Sequence, residues 1–232
     1  MCRDILDNGY STEGQDVRAR WEDGSSAYTI KRFGIVNRYD LSKEFPALTL
    51  RPTGWKNAID ELLWIWQKKT NDITQLQSHI WDAWAGEDNT IGKAYGYQLG
   101  KQYNFRQGRL EPCAYSMTFN VTDNRLNAIL NQRSQDVLVA NNWNVVQYAV
   151  LVHMLAQVCG YEAGELVHVI ADAHIYDKHV PLVEELIGRT QYPAPKFEMN
   201  PDVKDFYEFT LDDFKLENYQ AGPQIKNIPV AE

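Results

Sequence analysis

Positive charge is in short supply in this chain: 23 lysines and arginines stand against 31 acidic residues, a formal net charge of −8. Binding nucleic acid, RNA included, through an overall basic surface is therefore not expected, because neutralising phosphates needs clustered Lys and Arg. Any anionic ligand must be held by a few local arginines. Cysteine is sparse too. Cys2, Cys113 and Cys159 form no C-x-x-C pair, so neither a disulfide framework nor a cysteine-based zinc site is indicated, and a reducing compartment fits. The longest apolar run, YAVLVHMLAQV, is broken by His153 and Gln157 and is too short to span a bilayer. The opening MCRDILDNGY lacks the apolar core of a signal peptide. A soluble, cytoplasmic protein with no membrane partner is expected. Internal repeats and low-complexity tracts are absent, which excludes solenoids and arrays.

What is present is enough for a full core. A chain of 232 residues that is 44% hydrophobic can fold as one domain spanning 1–232. Seven tryptophans and thirteen tyrosines point to an aromatic-rich core or to a site that stacks planar ligands. In WKNAIDELLWIWQ, residues 55–67, Trp55, Ile59, Leu62, Leu63 and Trp66 fall on one helical face. Residues 144–159 are apolar nearly all round and read as a central buried helix, ended by Gly160, with Cys159 as a small buried hydrophobe. Strands are read in AYTIKRFGIV and ELVHVIADAHIY, a helix near PLVEELIGR, and short strands in the tail. Without a regular βαβ rhythm, the fold class is α+β.

The stretch LEPCAYSMTFNVTDNRLNAILNQRSQD, residues 110–136, reads as a β-hairpin. Asp123-Asn124 forms its two-residue turn, since both residue types tolerate positive φ. Paired residue numbers then sum to 247, and Val121 faces Leu126, Phe119 faces Ala128 and Met117 faces Leu130, so the apolar residues share a face. The same arithmetic sets Cys113 opposite Ser134. Strict alternation sends Arg133 to the other face, and a twist or bulge is needed to turn it toward the thiol. A thiol with an ordinary pKa of ~8.5 is mostly protonated at neutral pH, and a neighbouring guanidinium lowers that value. The hairpin alone admits both a reactive site and a buried cysteine beside a surface arginine.

Glu61 has Ala58, Trp64 and Ile65 as helical neighbours and no lysine at i+4. A carboxyl among apolar groups has a raised pKa, useful for proton transfer, although periodicity alone favours a partly exposed flank. His168, Asp172, His174 and His179 lack the spacing of a metal site, so no metal is expected. Lys68 and Lys69 read as caps on the negative end of their helix.

The stretches ELLWIWQ, HIWDAW, AYGYQ, EPCAYS, QRSQDV, NNWNVVQYA and DAHIY occur in one order. In this set the chain resembles the folate-dependent thymidylate synthases and related pyrimidine hydroxymethylases, from about residue 16 onward. The resemblance implies an α+β fold with a large mixed sheet flanked by helices, used back to back in a homodimer. It also implies conversion of deoxyuridylate (dUMP) to thymidylate, with 5,10-methylenetetrahydrofolate as co-substrate supplying both carbon and hydride, and no metal or flavin. Carried over position by position, Cys113 is the nucleophile toward C6 of uracil. Glu61 and Tyr95 manage proton transfers, and Trp81 flanks the methylene intermediate. Arg18, Arg133 and Ser134 hold phosphate, His174 and Tyr176 hold the deoxyribose, and Asn144 reads the pyrimidine. Asp136, Ile80, Trp84, Arg51 and the terminal Ala231 serve the folate.

Three departures accompany the resemblance. Only YQLGKQYNFRQGRLE separates Gly96 from Pro112, and no Arg-Arg pair occurs, so a segment near 106–110 is missing relative to the family. Ala114 stands where many members have histidine, and the chain ends Ala231-Glu232 rather than in a bulky apolar residue. These keep two alternatives in view: a dUMP or dCMP hydroxymethylase, and a nucleotide- or RNA-binding relative with impaired catalysis.

Overall fold

The computed structural model describes residues 1–100 and 112–231. The segment near 106–110 lies outside the described residues. The elements run α1 (Cys2–Asn8), β1 (Tyr10–Ser11), β2 (Thr29–Asp40), α2 (Trp55–Leu63), α3 (Gly96–Leu99), β3 (Ala114–Thr122), β4 (Arg125–Gln132) and β5 (Gln135–Asp136). After them come α4 (Asn141–Cys159), β6 (Glu162–Tyr176), α5 (Val180–Ile187), β7 (Lys196–Met199) and β8 (Phe214–Glu217). The main sheet is ordered β1-β2-β6-β4-β3, with β5 also on β6. β4 and β5 run parallel to β6 and the other pairs are antiparallel, so the sheet is mixed. The parallel pairing of β4 with β6 requires a crossover, and α4 supplies it.

Helix α4 explains the depth of the core. Its residues are apolar on every side because they are covered on every side: Val146, Ala149, Val150, Leu151, Val152 and Met154 have no exposed surface. One flank packs with Ala58, Ile59 and Leu62 of α2, another with Leu130 and Leu166 of the sheet. Gly160 ends the helix at φ 75° and ψ 25°, with Tyr161 N–H reaching Ala156 O at 2.8 Å, a Schellman closure that needs the left-handed region.

Along β6, Leu166, His168 and Ile170 are buried while the alternate residues are only partly covered. One sheet face thus meets α4, and the other carries Val36, Val167, Val169 and Ile129 side by side.

Several local expectations need correction. Helix 55–67 is α-helical only to Leu63 and continues as a π-helix over Trp64–Lys68, which rotates Trp66 relative to a regular helix. Lys68 and Lys69 do stand at the helix end, in its last turn and at its C-cap, while their ammonium groups donate to Gln75 O and to the Tyr207 hydroxyl. Cys159 is exposed, because it sits at the last turn where α4 leaves the core.

Candidate active site

The hairpin brings the thiol and the guanidinium together by a bulge. From Ser116↔Asn131 to Thr122↔Arg125 the pairing follows the expected register, and Asp123 and Asn124 take φ of 50° and 62° in the turn. Between Ala114 and Ser116 the register slips, so that Ala114 faces Gln132. Tyr115 is the extra residue. Arg133 N–H accordingly donates to Cys113 O at 2.9 Å, and Cys113 lies opposite Arg133 rather than Ser134. Arg133 Nε donates to Pro112 O at 3.1 Å, and Nη2 stands 3.9 Å from Cys113 Sγ.

Electrostatics at the thiol run against the simple expectation. Burial raises the Cys113 pKa and Arg133 lowers it, and the net direction is up. The guanidinium reduces the desolvation penalty without overcoming it. Behind the thiol, the Tyr95 hydroxyl accepts from Cys113 N–H at 3.4 Å. Burial pushes the Tyr95 phenol well above its ordinary range, with the Cys113 and Glu61 charges adding to the effect. Gly96, next in the chain, has no room for a side chain: an added Cβ would meet Thr70 O at 2.3 Å.

Glu61 is buried, not on an exposed flank. Trp81 Nε1–H donates to its Oε1 at 2.5 Å, while Trp143 Nε1–H and Gln147 Nε2–H each donate to Oε2 at 2.5 Å. Burial raises its pKa despite these three donors. Trp143 and Gln147 lie in the NNWNVVQYA stretch but were assigned no part by the sequence. α4 also carries Asn141, Asn142, Asn144, His153 and Gln157, so neither residue stood out in the sequence.

The other candidates lie just after β4, in β5, at the end of β6 and in segments outside the main sheet. His174 Nδ1 is 3.4 Å from Asp172 Oδ1, and its ring packs edge-on against Tyr176 at 5.1 Å. Asp136 pairs with His174 across β5 and β6, and its Oδ1 accepts from Leu138 N–H and Val139 N–H, each at 3.0 Å. Asp136 Oδ2 faces His179 Nδ1 at 3.9 Å; His179 Nε2–H in turn donates to Pro229 O at 2.7 Å, which ties the tail ahead of Ala231 to this corner. Ser134 is half-buried and Arg18 is exposed, near enough to Tyr176 to act on its phenol. Ile80, like Trp81 and Tyr95, packs against the buried cluster of Trp64, Ile65, Leu76, Ile91 and Ala94, and Trp84 lies edge-on to Trp81 at 5.7 Å. Arg51 is buried and donates to Leu138 O at 2.5 Å, so its guanidinium is turned inward rather than toward solvent. Among the described residues no group of three or more His, Cys, Asp or Glu could hold a metal ion, and no helix is long and apolar enough to cross a membrane.

The arrangement of the chain is that of an α+β enzyme of known class. It is similar to the solved structure of the thermostable thymidylate synthase A from Bacillus subtilis, with a TM-score of 0.91 and 38% identity, over 99% of this chain and 96% of that one. The chain belongs to the thymidylate synthase family, whose model matches residues 1–108 and 101–231. It is 40% identical to the thymidylate synthase of Bacillus phage phi3T and to thymidylate synthase 1 of Bacillus subtilis strain 168, over 97% of this chain and 94% of each relative. These alignments extend over 264 positions against 232 residues here, so the relatives carry positions with no counterpart in this chain.

Proposed function

We propose that the chain is a catalytically active methyltransferase that converts dUMP to thymidylate, with 5,10-methylenetetrahydrofolate as one-carbon donor and reductant and dihydrofolate as second product. The observation that carries this reading is the Cys113 thiol standing 3.9 Å from the Arg133 guanidinium on a bulged hairpin, in a chain 40% identical to named thymidylate synthases over 97% of its length. The Cys113 sulfur adds to C6 of the uracil, and the electron pair displaced from the C5–C6 bond makes C5 nucleophilic. C5 attacks the methylene carbon of the folate. Glu61, with Tyr95 beside it, takes up and returns protons near O4 and C5, for which a raised carboxyl pKa is suited. Loss of the C5 proton and of the folate leaves an exocyclic methylene flanked by Trp81. Hydride from the released tetrahydrofolate reduces it to methyl as the sulfur leaves C6.

In the same reading Arg18, Arg133 and Ser134 bind the phosphate, His174 and Tyr176 the deoxyribose, and Asn144 the base. Asp136, Ile80, Trp84, Arg51 and Ala231 serve the folate, with Arg51 acting from its inward position. A single domain spans 1–232, lacking a family segment near 106–110. A homodimer is supported by the outer sheet face, where Val36 and Ile129 are 53% and 41% exposed beside Val167 and Val169. The three free cysteines agree with work in the cytoplasm.

Release of the C5 hydrogen from dUMP, followed together with dihydrofolate absorbance, tests the reaction. Both signals are expected to rise in step and to vanish in Cys113→Ser. Hydrogen release without dihydrofolate would make the protein a hydroxymethylase, and nucleotide binding with neither signal would refute catalysis.

A further inference from the structure

The buried polar side chains behind Glu61 form one directed chain. The indole N–H groups of Trp81 and Trp143 can only donate, and they hold both oxygens of the carboxylate as acceptors. Gln147 therefore presents Nε2–H to Oε2 at 2.5 Å and turns its Oε1 toward Asn144. Asn144 donates Nδ2–H to that oxygen at 3.4 Å, which leaves its Oδ1 to accept from Gln132 Nε2–H at 3.2 Å. The same Gln132 nitrogen donates to Ser134 O at 3.0 Å, and a carbonyl can only accept, so the far end is anchored independently. Gln132 Oε1 then accepts from His168 Nε2–H at 2.8 Å. With an obligatory acceptor at each end, reversing any amide between them sets N–H against N–H and lone pair against lone pair.

The inward bonds use one N–H and one lone pair of the Asn144 amide. One of each remains for a ligand. That pair complements O4 and N3–H of uracil. Turned by half a revolution about its last bond, the same amide complements the N4 amino group and N3 of cytosine. Asparagine by itself thus reads either base, and the choice belongs to whatever prevents the turn.

We propose that Gln147, itself 4% exposed, is a positioning residue that sets pyrimidine specificity by clamping the Asn144 amide against Gln132 in its uracil-reading sense. The inference rests on the reading that Asn144 faces the pyrimidine. Gln147 acts through Asn144 and not by touching the nucleotide.

The test is equilibrium binding of dUMP and dCMP, by titration calorimetry, to the full chain and to Gln147→Met, Gln147→Glu and Asn144→Ala. Methionine keeps the length and packing of glutamine but neither donates to Glu61 nor accepts from Asn144. The ratio of the two dissociation constants is expected to fall about tenfold in Gln147→Met, with dCMP binding gained rather than merely dUMP binding lost. General loosening of the site would weaken both nucleotides and leave the ratio alone. A glutamate at 147 faces the Glu61 carboxyl with no N–H between them, so the pair must share one proton, two carboxylates at that distance not both ionising; its other oxygen still accepts from Asn144, and the ratio is expected to stay within about twofold of the parent. A parent-like ratio in Gln147→Met overturns the proposal, and so does a collapsed ratio in Gln147→Glu, which decides the matter alone if the methionine variant does not fold. Preference that survives in Asn144→Ala refutes the underlying reading; preference lost there but intact in Gln147→Met refutes the clamp alone.

Discussion

At Cys113 two opposing effects act on one sulfur, and their balance predicts reactivity. Since the net pKa shift is upward, the thiolate fraction grows as pH rises, and alkylation by iodoacetamide should climb through and beyond the ordinary thiol range of about 8.5. Arg133→Ala removes the lowering influence, so its alkylation at neutral pH should be slower still, by about tenfold, as read by mass spectrometry of the Cys113 peptide. A faster rate would mean that the guanidinium does not act on the sulfur. Glu61 offers a second test. Its donors stabilise the carboxylate, so deleting one lets burial act less opposed and raises the pKa further. Trp143→Phe should therefore move the acidic limb of the kcat profile toward higher pH, and Trp81→Phe, which removes the donor on the other carboxylate oxygen, should move it in the same direction. Cys113 and Glu61 could be singled out as candidates in the sequence because EPCAYS and ELLWIWQ carry the family resemblance. Trp143 and Gln147 were illegible because what defines them is reach across the core from α4 to α2, over more than eighty positions, as in Trp143 to Glu61. Likewise, periodicity favoured a partly exposed flank for Glu61, which is buried.

Elements differ in how much of their geometry the residues announce. The β3–β4 register could be counted from the turn because apolar residues meet across it, from Met117↔Leu130 to Val121↔Leu126. The bulge at Tyr115 carries no such mark, since tyrosine is an ordinary strand residue. Deleting Tyr115 should restore strict alternation and turn the Cys113 side chain away from Arg133, abolishing dUMP turnover while circular dichroism stays close to that of the parent. The end of α4 was legible from Gly160, whereas the π-helix over Trp64–Lys68 was not, because one extra residue per turn leaves the apolar count almost unchanged. At Gly160 an added Cβ meets nothing within 4 Å, so Gly160→Ala tests backbone conformation without packing. It should lower unfolding stability by about 1 kcal/mol in urea titration, the cost of holding alanine in the left-handed region.

For the whole molecule, composition and charge indicated an acidic chain with enough apolar residues for a full core, and the absence of a regular βαβ rhythm indicated the α+β class, with which the mixed sheet crossed by α4 agrees. Strand order was beyond the sequence, since nothing local in β2 or β4 names β6 as the neighbour of both. The outer sheet face supplies a prediction at this scale: Val169→Asp, opposite Val36 and beside Asn131, should convert a dimer into monomers in sedimentation velocity, with the fold kept. If the parent itself sediments as a monomer, the homodimer reading is wrong. Glu61 from α2, Cys113 from the hairpin, Asn144 from α4 and His174 from β6 are gathered only where the α4 crossover closes β4 onto β6. Such closure depends on partners far apart in the chain, and contacts of that kind form late. Protein diluted out of denaturant should consequently regain helical ellipticity before it regains turnover, and no fragment cut on either side of α4 should catalyse the reaction by itself.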